Sequence, residues 1–115
     1  MSKHHTIEVQ LKRGIEIHGK TYKLLVLREA NARMLIDAEQ VTGETSVLAS
    51  AMTVYTFNLA LLPLQIEGIF TDKDGEKFDK PVLPEYFDEL SQGDAKIIVN
   101  KQRELEKLGE NAPSA

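Results

Sequence analysis

The sequence predicts an α+β fold, a small single domain in which an N-terminal β-hairpin or meander packs on a mainly helical C-terminal part. Apolar and polar residues alternate early in the chain, which is typical of strands, and apolar residues recur at helical spacing in the remainder. The length of 115 residues suits one domain with one hydrophobic core.

The early alternation predicts a hairpin over residues 6–27. Gly14 interrupts the first arm and is expected to form a bulge. His18 and Gly19 are expected to form the tight turn, because glycine adopts a positive φ at little cost. The second arm carries apolar residues on both faces, which indicates that both faces are covered.

Four helices are predicted in the rest of the chain, over residues 31–42, 46–62, 84–91 and 94–108. Asn31 is a suitable N-cap for the first of them, and Pro84 suits the first position of the third. Pro63 is expected to end the second helix at about Leu62, because the residue before a proline disfavours helical dihedrals.

The connecting segments are less regular. Residues 65–70 fit either a short strand or a helical turn, and the polar residues 71–80 predict a solvated turn without the ligand spacing of a calcium loop. Gly109 is expected to end the last helix. The domain therefore spans residues 1–109, and residues 110–115 are expected to form a disordered tail.

The predicted helix over residues 46–62 is apolar nearly all round and must be buried from several sides. It is the centre of the domain, a face shared with another subunit, or a membrane span. Polar residues within it and the lack of a flanking basic cluster disfavour a span. Asn58 lies among large apolar residues, so we expect either an internal hydrogen bond or a contact that fixes register at a helix–helix interface.

Composition and charge disfavour several classes of function. The net charge is −4 and the pI is about 5.4, which disfavours a nucleic-acid partner because such domains are usually basic. There are no cysteines, so no disulfide or thiolate metal site forms, and the chain suits a reducing cytoplasm. The first ten residues lack the apolar core of a secretory signal.

No catalytic or metal-binding motif is evident. His4 and His5 lie near the terminus and His18 in a predicted turn, so no metal site is expected. No histidine is placed to activate a nucleophilic serine or threonine, and the glycines do not form a phosphate loop. We expect a protein that is not an enzyme and has no cofactor.

Several segments carry a family resemblance. They are LKRGIEIHGK at residues 11–20, LVLRE at 25–29, MLIDAE at 34–39 and LPEYFDELS at 83–91, followed by Asp94 and Ile97-Ile98. Together they resemble the tail assembly chaperones of long-tailed bacteriophages, in particular the Mu-like group that shares a family with the small E-type tail proteins of P2-like phages.

The resemblance implies a protein of the bacterial host cytoplasm that binds the tape measure protein and helps to recruit tail tube subunits. The unusually apolar central helix and the amphipathic last helix suit such a role, since they can hold an apolar helical client by helix-in-groove contacts. The expected partner-binding residues there are Tyr55, Phe57, Leu61, Leu62, Ile98, Leu105 and Leu108. Plain core packing is the alternative role for each of them.

Other functions stay open from the sequence. A structural tail or particle subunit is the main alternative, and a small nucleic-acid-binding regulator is a weaker one because nearby acids offset its basic residues. We also expect self-association through the central or last helix, since both carry apolar residues beyond the needs of one small core.

Overall fold

The computed structural model describes residues 5–42, 51–73 and 75–110. It confirms the α+β class, with a three-stranded antiparallel sheet packed against helices. The elements in chain order are β1 (Thr6–Ile17), β2 (Lys20–Arg28), α1 (Ala32–Thr42), α2 (Ala51–Gln65), β3 (Ile66–Phe70), a 3₁₀ helix (Pro84–Phe87) and α3 (Gln92–Glu110). Among these, no helix has the length and apolar character needed to cross a membrane.

The predicted hairpin is confirmed and gains a third strand. β2 lies between β1 and β3, so residues 66–70, which fitted either a strand or a turn, form the strand that follows both central helices. Buried residues occur at both parities of β2, as expected for a strand covered on both faces. The turn is tight because His18 and Gly19 both have positive φ, at 52° and 80°.

The bulge in β1 is confirmed, and it requires glycine. Gln10 pairs with Leu24 but Ile15 pairs with Tyr22, so β1 carries extra residues between these pairs. Gly14 has a φ of 83°, and a Cβ atom there would lie 2.5 Å from the Tyr22 carbonyl oxygen. The bulge leaves successive β1 amides without ladder partners on β2.

The side chain of Asp94 satisfies these amides from the far end of the sequence. Its Oδ1 accepts the Lys12 N–H at 2.8 Å, and its Oδ2 accepts the N–H groups of Arg13 and Gly14 at 3.0 and 2.9 Å. Asp94 itself is fully buried. The first turn of α3 is thereby fixed on the bulged part of β1.

Burial would raise the pKa of the Asp94 carboxyl, but the three backbone N–H donors, with help from the Ser91 hydroxyl, hold that pKa below its ordinary value. The group is therefore a buried carboxylate with its acceptors occupied. Its position and its bonds give it a structural role.

The main core lies between the sheet, the C-terminal half of α2 and α3. Its side chains pack closely, and several have no exposed surface. They are Val9, Leu11, Ile15, Ile17, Tyr22, Leu25, Leu27, Leu62, Ile69, Phe78, Phe87, Ile98 and Leu105.

The prediction that Pro63 ends the second helix is wrong, because α2 continues through it to Gln65. Proline lacks an amide hydrogen and forfeits one helical hydrogen bond. The last turn is held instead by tertiary contacts of Gln65, which is buried and donates from Nε2 to the Arg28 carbonyl oxygen at 3.2 Å. The predicted start of this helix at residue 46 lies outside the described residues.

The predicted helix over residues 84–91 is also wrong, since only the 3₁₀ helix Pro84–Phe87 forms there. α3 begins at Gln92 and not at residue 94, because Ser91 supplies the cap. Its Oγ accepts the Asp94 N–H at 3.1 Å and its carbonyl oxygen accepts the Ala95 N–H at 2.9 Å.

The C-terminal boundary of α3 differs from its prediction as well. The helix includes Gly109 and extends to Glu110, so glycine does not terminate it. The rest of the expected disordered tail, residues 111–115, lies outside the described residues. By contrast, Asn31 is confirmed as the N-cap of α1, since its Oδ1 accepts the Met34 N–H at 2.9 Å.

Candidate functional site

Most of the predicted partner-binding residues are buried within the domain. Phe57 is 4% exposed and Leu61 is 6% exposed, while Leu62, Ile98 and Leu105 have no exposed surface. Leu108, at the end of α3, is 46% exposed. Tyr55 belongs to α2, but its side chain lies outside the described part of the molecule.

These residues do not form one surface. Leu62 and Ile98 belong to the main core under the sheet. Phe57 and Leu61 form a smaller cluster with Ala38 of α1, with Ala30 and Met34 against it. The smaller cluster lies at the contact between α1 and α2.

Three of the predicted residues do meet at an opening. Phe57, Leu61 and Leu105 share a cleft of about 340 Å³ with Leu35, which is 40% exposed. We call it the interhelical cleft. Its lining residues are Glu29, Ala30, Leu35, Phe57, Asn58, Leu61, Gln65, Gln102, Leu105 and Glu106.

The interhelical cleft is built by three helices and the connection that precedes α1. Leu35 comes from α1, Phe57 and Leu61 from α2, and Leu105 from α3, so its floor is apolar. Its volume is near the lower end of the roughly 300–1,000 Å³ typical of ligand pockets. It has room for a few side chains of a partner.

One wall of the cleft is polar and was not predicted from the sequence. Gln102 Nε2 donates to the Asn58 carbonyl oxygen at 2.8 Å and to Gln65 Oε1 at 2.7 Å. These bonds tie α3 to the C-terminal half of α2. The available signal was the position of Gln102 between Ile98 and Leu105 on the apolar face of an amphipathic helix. Asn58 itself is half-buried and lines the cleft.

The other amide atom of Gln102 is left without a partner. Both acceptors of Nε2 are carbonyl oxygens, which fixes the orientation of the amide group. Gln102 is 4% exposed, and its Oε1 has no hydrogen-bond partner among the described residues. A buried acceptor without a donor costs about 1–3 kcal/mol, and here it belongs to a residue that lines a cleft.

The charged residues that line the interhelical cleft are acidic. Glu29 and Glu106 are its charged lining residues, and no lysine or arginine is present among the described residues that line it. Glu29 Oε1 accepts the His5 N–H at 3.2 Å. The cleft is therefore apolar at its floor and acidic at its edge.

A second groove lies on the other side of α1, with a volume of about 510 Å³. We call it the outer groove. Asp37 supplies its α1 side, and Leu64, which is 39% exposed, supplies part of its α2 side. Its lining residues are Asp37, Leu59, Ala60, Pro63, Leu64, Pro84, Phe87 and Asp88. Thus, within the described residues, α1 covers α2 incompletely and leaves apolar surface on both of its flanks.

A third depression, beside the β1 bulge and the 3₁₀ helix, is polar and holds Arg13 together with several carboxylates. Within the described parts of the chain, no group of His, Cys, Asp or Glu is arranged to hold a metal ion. Most of its lining surface is polar, so this depression is not a candidate for binding an apolar segment.

Comparisons of the chain with protein-family models, curated proteins and solved structures give no match.

Proposed function

We propose that this protein is a non-enzymatic tail assembly chaperone of a long-tailed bacteriophage, acting in the host cytoplasm. In this role it binds the tape measure protein and helps to recruit tail tube subunits. The family resemblance over residues 11–108 supports the identity of the client. The observation that carries the proposal is the interhelical cleft, with exposed Leu35 beside Phe57, Leu61 and Leu105.

The cleft suits a helical client on physical grounds. An amphipathic helix binds a groove by inserting apolar residues spaced three or four positions apart. The apolar floor accepts such side chains, and burying their surface contributes about 25 cal/mol per Å² to the free energy of binding. A long helical protein with many apolar faces would aggregate without such a cover.

The arrangement of α1 also suits two partners. The interhelical cleft and the outer groove lie on opposite flanks of this helix. A client helix in the first would leave the second free for a tail tube subunit. Both surfaces would be released when the assembled tail buries the client.

The proposal is tested by co-expression with the long helical protein encoded beside this chain. We expect the long protein to be soluble only when this chain is present, and the two to co-purify. The same preparation would be compared with finished particles, from which a chaperone is absent. Presence of this chain in purified particles, with no soluble complex, would instead identify a structural subunit.

A further inference from the structure

We propose that two copies of this chain pair through α1 in antiparallel orientation, and that the pairing covers the edge of the interhelical cleft until a client displaces the second copy. The pairing itself is inferred from the surface of α1. Its displacement by a client rests on the proposed function and describes how the same site is regulated.

One face of α1 carries an exposed stripe, which we call the α1 stripe. Its members are spaced three, one and three residues apart, so they share one side of the helix. They are Ala32, Leu35, Ile36 and Glu39. Leu35 and Ile36 keep 40% and 43% of their surface exposed, Ala32 is exposed and Glu39 is half-buried. Covering the neighbouring leucine and isoleucine side chains with a second apolar surface is favourable, because it removes them from water.

The α1 stripe is complementary to itself when two copies lie antiparallel. A two-fold axis that passes between Leu35 and Ile36 places Leu35 of each copy against Ile36 of the other. The same axis places Ala32 against Glu39, so a small side chain lies opposite a long one. The two large apolar side chains of each copy then pack at the centre of the pair, and every contact occurs twice.

The charges of α1 favour this orientation. No acidic residue lies in the first turn of α1, although the N-terminus of a helix attracts negative charge. In the antiparallel pair, Glu39 of the second copy supplies that charge and lies within reach of Arg33, which is exposed. Neither side chain has an ion-pair partner among the described residues. A parallel pair would instead bring Arg33 to Arg33 and Glu39 to Glu39, and these contacts are repulsive.

We expect the pairing to be weak and reversible. α1 has 11 residues and is therefore about 16 Å long, so the two copies should bury less than the roughly 1,200 Å² of stable complexes. Because Leu35 also lines the interhelical cleft, a second copy on the α1 stripe covers the edge of that cleft. A client helix in the cleft contacts the same side chain and therefore displaces the second copy.

Sedimentation velocity of the full chain tests the pairing over a concentration range of about 5–500 µM, which suits a weak complex. We expect a reversible equilibrium between monomer and dimer, with the dimer fraction rising across this range. A chain that stays monomeric at every concentration would overturn the inference.

Charge reversals locate the contact. Arg33→Glu and Glu39→Arg should each weaken the dimer roughly tenfold, because two attractive contacts become repulsive. The double variant exchanges the signs and should dimerise at least about threefold more tightly than either single variant. Arg103→Glu, the same change at an exposed position of α3, should leave the dimer unchanged. If all four variants dimerise equally, the contact lies elsewhere and the assignment is overturned.

Ile36→Asp tests the apolar centre of the pair. It places a charge against Leu35 of the second copy, so the variant should be monomeric across the same concentration range. Ile36 is exposed and does not line the interhelical cleft, so the variant should fold and should keep its client. Circular dichroism checks the fold. A folded Ile36→Asp chain that dimerises like the wild type would contradict pairing through α1.

Competition with client peptides separates the pairing from the proposed function. Overlapping peptides that cover the long co-encoded protein are added to the dimer, and we expect at least one to bind and to release monomers. If no peptide binds but the chain pairs through α1, the pairing stands and the client assignment fails. If a peptide binds a chain that never dimerises, the client assignment stands and the pairing fails. A peptide that binds while the dimer persists would overturn regulation of the cleft by pairing.

Discussion

The two faces of α2 are packed very differently. On the face toward the sheet, Leu62 is fully buried beside Leu25, Leu27 and Ile98 in one continuous core. On the face toward α1, the described side chains form a buried cluster of Ala38, Phe57 and Leu61, and open clefts flank it. The face of α2 toward the sheet is therefore closed in a stabilising core, whereas the face toward α1 leaves apolar surface accessible.

The difference has a local cause in α1. Among the α1 side chains that the structure describes, residues 32–40, Ala38 alone is fully buried against α2, and a small side chain lets the helices approach without covering the residues to either side. Leu35 and Ile36 stay 40% and 43% exposed. We therefore expect the sheet side to determine folding stability and the α1 side to determine binding.

The largest expected effect contrasts leucines on the two sides. Leu27→Ala removes a fully buried side chain from the main core and should lower the free energy of unfolding by about 2–5 kcal/mol. Leu35→Ala, at a 40% exposed position, should cost less than about 1 kcal/mol. Urea denaturation followed by circular dichroism measures both. Similar losses would mean that α1 is part of the main folding core.

A slightly smaller effect is expected at the bulge. Asp94→Asn keeps the shape of the side chain but replaces the charged acceptor of three backbone N–H groups. It should cost roughly 3 kcal/mol, because hydrogen bonds to charged groups contribute about 1.5–3 kcal/mol each and part of the set survives. The urea midpoint of Ser91→Ala should fall by less, because this change removes the cap of α3 and a minor partner of the carboxylate but keeps the three backbone N–H donors.

The same carboxylate predicts a dependence on pH. The pKa of Asp94 is lower in the folded chain than its ordinary value of 3.8, so the unfolded chain binds the proton more readily. Its contribution is fully present above about pH 5 and is lost as the pH falls through 3.8 toward the folded pKa. The stability gap between the wild-type chain and Asp94→Asn should therefore shrink below pH 4. A constant gap would contradict this.

The smallest effect is expected at the surface pair of Lys20 and Glu76. Their hydrogen bond raises the pKa of Lys20 and lowers that of Glu76, but both side chains are well exposed. Water and salt screen such pairs strongly. Glu76→Gln should leave the urea midpoint unchanged within error. A clear loss would mean that the loop after β3 contributes to the stability of the sheet.

The hairpin was predictable because its signals are local. Alternation defines the strands, and Gly14, His18 and Gly19 define the bulge and the turn within a few residues of sequence. The course of α2 through Pro63 was not predictable, since Gln65 holds the last turn by bonding to Arg28 and Gln102 far away in sequence. Local proline rules describe the chain without these tertiary partners.

Only part of the candidate site was predicted, because local sequence patterns do not show tertiary contacts. The apolar residues of α2 and α3 were recognised, but periodicity cannot tell which of them face a closed core and which face a cleft. Leu35 lies in the predicted first helix, but the sequence did not identify it as the exposed edge of the cleft. The hydrogen bonds of Asp94 to β1 span about 80 residues of sequence, and no local sequence pattern predicts them.

The central claim is that the α1 side binds the client, and one pair of variants tests it most directly. Leu35→Asp places a charge at the edge of the interhelical cleft, whereas Ile36→Asp changes the next residue of α1, which is equally exposed but does not line the cleft. Substituting buried Phe57 or Leu105 would instead unfold the domain.

The measurement is the soluble yield of the long helical protein when it is co-expressed with each variant. We expect Leu35→Asp to reduce that yield at least about tenfold, since an apolar contact is replaced by a charge, while its melting temperature and that of Ile36→Asp stay near the wild-type value. Ile36→Asp should solubilise the client normally. Equal yields from the two variants would contradict binding at the interhelical cleft.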